Sequence, residues 1–160
     1  MELEVYKIRE EAKLPVREHS LDAGMDLFYC PDPYLGSNCV WEENNMKYFR
    51  IPPGVSCLVP TGLKANIPAG HMLEIKNKSG IAHKQKMIVG ACVVDSGYTG
   101  EIFVNLHNIG GTTQHLRPGQ KIAQAIMVPV VLCGVEEVYT DPSVYNTTRG
   151  SGGFGSTGLV

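Results

Sequence analysis

Residues 87–107 read MIVGACVVDSGYTGEIFVNLH, and this stretch decides the fold class. Two apolar runs, residues 87–94 and 101–107, flank a glycine-containing turn, an arrangement that predicts a β-hairpin. Because strand side chains point to opposite faces in turn, the strict alternation of the second run predicts a strand with one buried face. Its two faces carry Ile102, Val104 and Leu106 on one side and Phe103, Asn105 and His107 on the other.

Strand signals of the same kind recur about every ten residues along the chain. Helical periodicity is nearly absent, and short helical turns are predicted over residues 7–13 and just after Ser79. The sequence therefore predicts an all-β sandwich, jelly roll or barrel of about eight to ten short strands. The further candidate strands are residues 3–8, 47–51, 55–59, 62–67, 72–76, 121–128 and 130–138.

The composition is that of a folded domain with balanced charge. The chain has 160 residues, of which 43% are hydrophobic, and 14 basic residues against 16 acidic ones give a net charge of −2. Such a chain can bury a core, and its small net negative charge gives no positive electrostatic potential that would attract nucleic acid or an anionic membrane. No apolar run approaches the roughly 20 residues that span a bilayer. We therefore expect one domain, with no nucleic acid and no membrane as partner.

Cysteine and histidine usage favours the cytoplasm and indicates no metal-binding motif. The five cysteines are an odd number at wide spacings without a CxxC pair, and the five histidines form no HExxH or HxH pair. Free thiols are typical of a reducing compartment, and the charged residues 1–13 predict no signal peptide. We expect a cytoplasmic protein without a metal site built from its own side chains.

Two segments stand apart from the strand pattern. Residues 31–46 are a polar stretch with the single tryptophan, Trp41, and predict a surface loop or an excursion hairpin. Residues 149–160 contain five glycines in twelve positions and predict a flexible C-terminal arm. We therefore expect one β-barrel domain over residues 1–148, followed by this arm.

Four features carry more chemistry than a plain β-protein needs. Asp95 and Tyr98 lie in the DSGYTGE turn, either as turn residues or as part of a site. The NKSG segment with Lys78 and Ser79 is either a polar turn or a phosphate contact, since ammonium, hydroxyl and main-chain N–H groups all donate. Gln124 lies among apolar residues of its strand, so either a backbone group or a ligand pairs its amide. The arm, RGSGGFGSTG, is either a disordered end or a mobile contact for polyphosphate and a flat ring.

Five motifs, taken in order along the chain, resemble those of the trimeric dUTPase family. The resemblance covers nearly the whole chain. It implies a jelly-roll-like barrel, a homotrimer in which three subunits build each site, and Mg²⁺-assisted hydrolysis of dUTP to dUMP and diphosphate. That reaction limits uracil incorporation into DNA and supplies dUMP for thymidylate synthesis. The motifs are AGMDL (23–27), NKSGIA (77–82), CVVDSGYTGEI (92–102), GQKIAQ (119–124) and RGSGGFGSTG (149–158).

The resemblance also implies a role for each site residue. Asp95 would activate the attacking water, and Asp26 would lie near a hydrated Mg²⁺ that is held by the substrate phosphates and not by protein ligands. Tyr98 would pack under the deoxyribose and leave no room for a 2′-hydroxyl. The main chain that reads uracil would be Cys92, Val93 and Val94. The phosphate contacts would be Lys78, Ser79, Gly80, Gln124 and Arg149, and the arm residues closing over base and phosphates would be Phe154, Gly155, Ser156 and Thr157.

Two positions depart from the family pattern. Lys78 stands where arginine is usual, and it offers a point charge in place of a planar fork. Cys92 stands where glycine is usual, so its side chain must point away from the base.

Two other functions remain open. A dCTP deaminase shares the fold, but it would lack the glycine-rich arm and would need a glutamate for proton transfer at the base. A non-catalytic module that keeps the fold would be marked by loss of Asp95 or of the arm. Both features are present, which argues against the two alternatives.

Overall fold

The computed structural model describes residues 2–34, 40–43 and 46–153, and the regular structure in this part is nearly all strand. One α-helix, α1 (Ser79–Lys84), lies where helical turns are predicted, and a 3₁₀ helix covers Pro142–Tyr145. No helix in these ranges is long and apolar enough to cross a membrane. The strands are β1 (Glu4–Lys7), β2 (Met25–Phe28), β3 (Val40–Glu43), β4 (Met46–Ile51), β5 (Ser56–Pro60), β6 (Leu63–Asn66), β7 (His71–Lys76), β8 (Met87–Val89), β9 (Val93–Asp95), β10 (Phe103–Asn108), β11 (Gln114–Leu116) and β12 (Lys121–Pro129).

Antiparallel pairing arranges these strands into four small sheets around one core. Their strand orders are β1-β6, β5-β10-β8, β11-β4-β3 and β2-β12-β7-β9. Apolar side chains from every sheet fill the core, where the Tyr29 and Phe49 rings meet edge to face with centroids 5.6 Å apart. Strand β10 buries Val104 and Leu106 completely and leaves the opposite face partly exposed, as its alternation predicts. The prediction of an all-β fold is confirmed.

The predicted antiparallel pairing of the two runs is confirmed at their outer ends, where β8 lies against β10, but the tight hairpin over residues 95–101 is wrong. Residues 87–95 break into two strands, of which β8 pairs with β10 and β9 pairs with β7 in another sheet. At the break, the Gly90 N–H donates to a β10 carbonyl (2.9 Å) and the Cys92 carbonyl accepts the Ile75 N–H (2.7 Å). The chain therefore changes sheet within three residues, and the turn that follows connects two sheets.

Other predicted boundaries also change. Residues 131–138 form no strand and are exposed, because a strand needs a paired neighbour and none of the described strands takes this segment. Within residues 7–13 no helix forms, since Lys7 ends β1 and residues 8–11 form a bend and a turn. Within residues 31–46 the excursion hairpin is confirmed, since β3 pairs with β4. The short strands β2 and β11 were not predicted.

Candidate active site

The turn after β9 brings Asp95 and Tyr98 to the rim of a cleft. Asp95 ends β9 with its side chain exposed, and its carbonyl accepts the Tyr98 N–H (3.0 Å). The Tyr98 ring is 44% exposed. A carboxylate in this place can accept a proton from a water molecule beside a bound ligand. The cleft has a volume of about 240 Å³ and is lined by Leu58, Val93, Val94, Asp95, Tyr98, Glu101, Ile102 and Phe103.

Strand β9 offers its main chain beside this cleft. In the sheet β2-β12-β7-β9 it pairs with β7 along one side, and within the described ranges no strand pairs with its other side. An edge strand presents N–H and C=O groups that can hydrogen-bond a planar polar ring. Val93 and Val94, two of the predicted base-reading residues, lie in this strand, and Val93 is 56% exposed.

Cys92 fits this backbone without the conformational freedom of a glycine. Among the described residues other than glycine, a positive φ occurs at Lys86 and Asn146, and so not at Cys92. Its carbonyl already accepts the Ile75 N–H, so this group is committed to β7. The backbone at this position therefore accepts a residue with a side chain.

A second set of predicted site residues lies around Asp26 on β2. The Asp26 group contains Asp26, Lys78, Lys121 and Glu18. The Asp26 carboxylate is 5% exposed and contacts two ammonium groups, Lys78 Nζ and Lys121 Nζ, each at 2.7 Å. Glu18 also contacts Lys121, at 2.7 Å. Burial by itself would raise the pKa of Asp26, but the hydrogen bonds and charges of Lys121 and Lys78 outweigh it and lower the pKa below its ordinary value. Asp26 is therefore an anion that holds both lysines beside it.

Gln124 and the start of α1 adjoin the Asp26 group. Gln124 lies opposite Asp26 in the pairing of β12 with β2, and its Nε2 donates to the Asn77 carbonyl (2.9 Å). A backbone group thus pairs the amide, which is one of the two alternatives considered from the sequence. Ser79 and Gly80 begin α1 and are exposed. The predicted phosphate contacts of the barrel are therefore grouped around Asp26.

Asp26 and Asp95 do not share a site within one chain. From β2 to β9 the sheet takes three strand steps of about 4.8 Å each. Asp26 is level with Lys76 on β7 through Gln124, whereas Asp95 is level with Met72, four residues or about 13 Å away along that strand. The two carboxylates are therefore roughly 20 Å apart.

The arm is described as far as residue 153. Arg149 is exposed, and its Nε donates to the Gly152 carbonyl (3.0 Å). The predicted arm contacts Phe154, Gly155, Ser156 and Thr157 lie outside the described residues. The structure thus gathers the predicted site residues into two groups, one around Asp95 and one around Asp26, with Arg149 in neither contact network.

Comparison with known sequences decides the family. A model of the dUTPase family matches residues 44–158. The chain belongs to the dUTPase family. The deoxyuridine 5′-triphosphate nucleotidohydrolase of Gloeothece citriformis is 41% identical to it over 162 residues, with 100% of this chain and 99% of that protein covered.

Solved dUTPases share the fold of this family member. The Staphylococcus bacteriophage 80alpha dUTPase with dUPNHPP superposes with a TM-score of 0.81 at 22% identity, and 99% of each chain is covered. A variant of the dUTPase from phage phi11 of S. aureus, described as coordinating a structural Mg(II) ion, gives a TM-score of 0.71 at 21% identity over 88% of this chain and 99% of that one. The jelly-roll-like β fold predicted for this dUTPase is therefore confirmed.

Lys121 belongs to the charged group of this dUTPase, yet the sequence reasoning assigned it no role. It lies in the GQKIAQ motif, three residues before Gln124, so a cation close to a predicted phosphate contact was visible in the sequence. Its partners Asp26 and Glu18 come from distant segments. A register shift between Lys121 and Ala123 also breaks the strand alternation, so spacing alone does not reveal the contact.

We predict that Asp26→Asn lowers the free energy of unfolding at pH 7 by about 1–3 kcal/mol, because Lys78 and Lys121 lose a charged partner. Since the folded-state pKa of Asp26 is lowered, its contribution is complete above the unfolded-state pKa of about 3.9 and is lost as the pH falls through the folded-state pKa. The variant should therefore lose less stability than the wild type on acidification.

Thermal unfolding followed by circular dichroism between about pH 6 and pH 2 measures both effects. The exposed Glu43→Gln serves as the control and should behave like the wild type. An Asp26→Asn protein with the wild-type acid dependence would contradict the ion-pair account.

Proposed function

We propose that this chain hydrolyses dUTP to dUMP and diphosphate in the cytoplasm, which limits uracil incorporation into DNA and supplies dUMP for thymidylate synthesis. The observation that carries the proposal is the exposed Asp95 carboxylate at the end of edge strand β9, beside the cleft with Tyr98. The Gloeothece relative is named for this activity. The buried, free thiol of Cys30 suits a reducing compartment.

Asp95 is the proposed general base. A water molecule would give a proton to the Asp95 carboxylate, and the oxygen of that water would form a bond to the α-phosphorus of dUTP. The bond from the α-phosphorus to the oxygen bridging it to the β-phosphorus would break, and that electron pair would leave with diphosphate. In-line displacement of this kind is assisted mainly by positioning and by cations at the developing charge.

The cleft beside Asp95 is the proposed nucleoside site. Its apolar side chains suit the faces of a pyrimidine and a deoxyribose, and those main-chain groups of Cys92, Val93 and Val94 that β7 leaves free would pair the polar edge of uracil. The ring of Tyr98 would pack against the sugar, where a 2′-hydroxyl would have no room. These assignments give specificity for both the base and the sugar of dUTP.

The Asp26 group is the proposed phosphate site. Lys78 has three N–H donors, so it can keep its contact with Asp26 and also donate to a phosphate oxygen. The exposed Ser79 and Gly80 and the amide of Gln124 would add neutral donors. Arg149 and the arm residues Phe154, Gly155, Ser156 and Thr157 would close over the bound nucleotide and exclude water. In this proposal residues 1–148 form the barrel domain and residues 149–160 the closing arm.

Mg²⁺ is proposed to bind together with the triphosphate. Within the described ranges no group of three or more His, Cys, Asp or Glu side chains could hold a metal ion. Both oxygens of the Asp26 carboxylate already contact lysines, which suits an ion held by phosphates and water with Asp26 near its water shell. The ion would offset negative charge on the phosphates and on the leaving diphosphate.

The active enzyme is proposed to be a homotrimer with sites shared between subunits. In one chain the phosphate site lies roughly 20 Å from Asp95, too far for both to act on one phosphate. The exposed segment 131–139 adds a second argument, since an apolar stretch of this kind is typical of a surface that a partner covers. Its most exposed residues, each at least 83% accessible, are Val131, Leu132, Val135 and Tyr139.

We predict that Asp95→Asn binds dUTP but loses about 10²–10⁴-fold in kcat, because the amide keeps the shape of the carboxylate and cannot accept the proton. Diphosphate release measured with dUTP and Mg²⁺ gives kcat, and calorimetry gives the affinity. The exposed Asp22→Asn is the matched control and should keep the wild-type rate. An Asp95→Asn enzyme that retains half of its rate would rule out this assignment.

We predict that Lys78→Ala lowers kcat/KM for dUTP by about 10- to 150-fold, since a hydrogen bond from a charged group is worth about 1.5–3 kcal/mol. Lys78→Arg should keep the contact or bind nucleotide more tightly, because a guanidinium adds a fork. Lys84→Ala, an exposed lysine of the same helix, is the control. Wild-type kinetics of Lys78→Ala at low and at saturating dUTP would show that another cation meets the phosphates.

We predict a particle of about three times 17.4 kDa in light scattering. Val135→Asp should shift it towards the monomer, because a charge would enter a buried contact between subunits. Thr140→Asp adds the same charge just beyond the segment and should leave the trimer intact. A wild-type monomer with full activity would contradict the proposed assembly.

A further inference from the structure

An ion pair between Arg9 and Glu101 fixes the end of the turn that carries Asp95. The Glu101 carboxylate accepts hydrogen bonds from Arg9 Nη1 (3.1 Å), from Arg9 Nη2 and from the Gly62 N–H (2.7 Å). The two side chains are 14% and 9% exposed. Arg9 also contacts Cys30 Sγ (3.4 Å). This is a bidentate pair held almost out of water, the geometry in which arginine differs most from lysine.

Arg9 stays charged in the folded protein. Burial by itself would lower the pKa of Arg9, but its hydrogen bonds to Glu101 and Cys30 outweigh burial and raise the pKa above its ordinary value. Buried ion pairs are often no more stabilising than apolar residues of the same volume, and their best-attested use is to specify one geometry.

Glu101 anchors the Tyr98 ring through its main chain. The Tyr98 hydroxyl donates to the Glu101 carbonyl (2.8 Å), so the ring folds back over its own turn. It lies so close to Gly100 that a side chain there would come within 2.4 Å of the hydroxyl oxygen. The position of the ring thus depends on where Glu101 is held, and Arg9 holds Glu101.

We propose that Arg9 and Glu101 are positioning residues that set the orientation of the Tyr98 ring and thereby the discrimination between deoxyribo- and ribonucleoside triphosphates. The proposal rests on the role proposed above for Tyr98 at the sugar. Arg9 lies outside the cleft, and Glu101 lines it, but the Glu101 carboxylate is occupied by Arg9 and the Gly62 N–H. Arg9 lies outside all five sequence motifs, and it acts through a contact across 92 positions of the chain.

The readout is the ratio of kcat/KM for dUTP to kcat/KM for UTP. A pair that merely stabilises the fold would change the amount of active enzyme, and that change cancels in the ratio. A pair that positions Tyr98 changes the ratio itself. The melting temperature and the elution volume of each variant show whether it is folded and assembled like the wild type before its kinetics are compared.

We expect Arg9→Met to lower the ratio by about tenfold or more, because a ring displaced by a fraction of an ångström no longer excludes the 2′-hydroxyl. Arg9→Lys keeps the charge without the fork and should give a smaller fall. Glu101→Gln keeps the shape and loses the charge, so it provides the same test if Arg9→Met does not fold. Arg50→Met, at an exposed arginine on β4, is the matched control and should keep the wild-type ratio.

Tyr98→Phe and Tyr98→Ala separate this proposal from the one on which it rests. Tyr98→Phe removes the hydroxyl that contacts Glu101, so its effect and that of Arg9→Met should not add in the double variant. A ratio lowered by Tyr98→Ala but unchanged in Arg9→Met, Arg9→Lys and Glu101→Gln would overturn the positioning role and leave the proposed function standing. A ratio unchanged in Tyr98→Ala would overturn both.

Discussion

The edge of strand β9 is the feature on which the rest of the site depends. Because the Gly90 N–H pairs with β10 and the Cys92 carbonyl pairs with β7, the chain changes sheet between β8 and β9. In a tight hairpin, β9 would pair with β10, and the N–H and C=O groups on the side that is now the sheet edge would be hydrogen-bonded to that strand. The crossing instead places an edge strand beside the cleft, and the turn that follows it presents Asp95 and Tyr98 at the rim.

The second constraint is the separation of charge within one chain. Asp26 holds Lys78 and Lys121 at the β2 side of the sheet, while the exposed Asp95 lies at the β9 side. Cations and base therefore lie at opposite sides of the sheet within one chain. In the proposed trimer a second subunit would supply one of the two groups to each substrate, so catalysis would require assembly.

Much of the fold could be predicted from the sequence because its signals are local. The alternation over residues 102–107 gives the buried face of β10, and the motif order gives the family. The tight hairpin did not form because the chain leaves β10 after Gly90 to pair with β7, a contact between distant segments that no local pattern shows. Lys121 was missed for the same reason, since its partners come from β2 and the preceding loop. The apolar run at 130–138 reads as a strand, but the strand that would pair with it is not among those described in this chain.

Mixing a base variant with a phosphate-site variant tests the shared site most directly. Asp95→Asn chains and Gln124→Ala chains are first assayed separately for their residual activity, then unfolded together, refolded at equal concentration and assayed for diphosphate release from dUTP. If one subunit supplies the base and another the phosphate contacts, random assembly restores about one quarter of the wild-type activity. If one chain supplied both, no mixed trimer would contain an intact site and the activity would stay at the level of the separate variants, which would contradict the account.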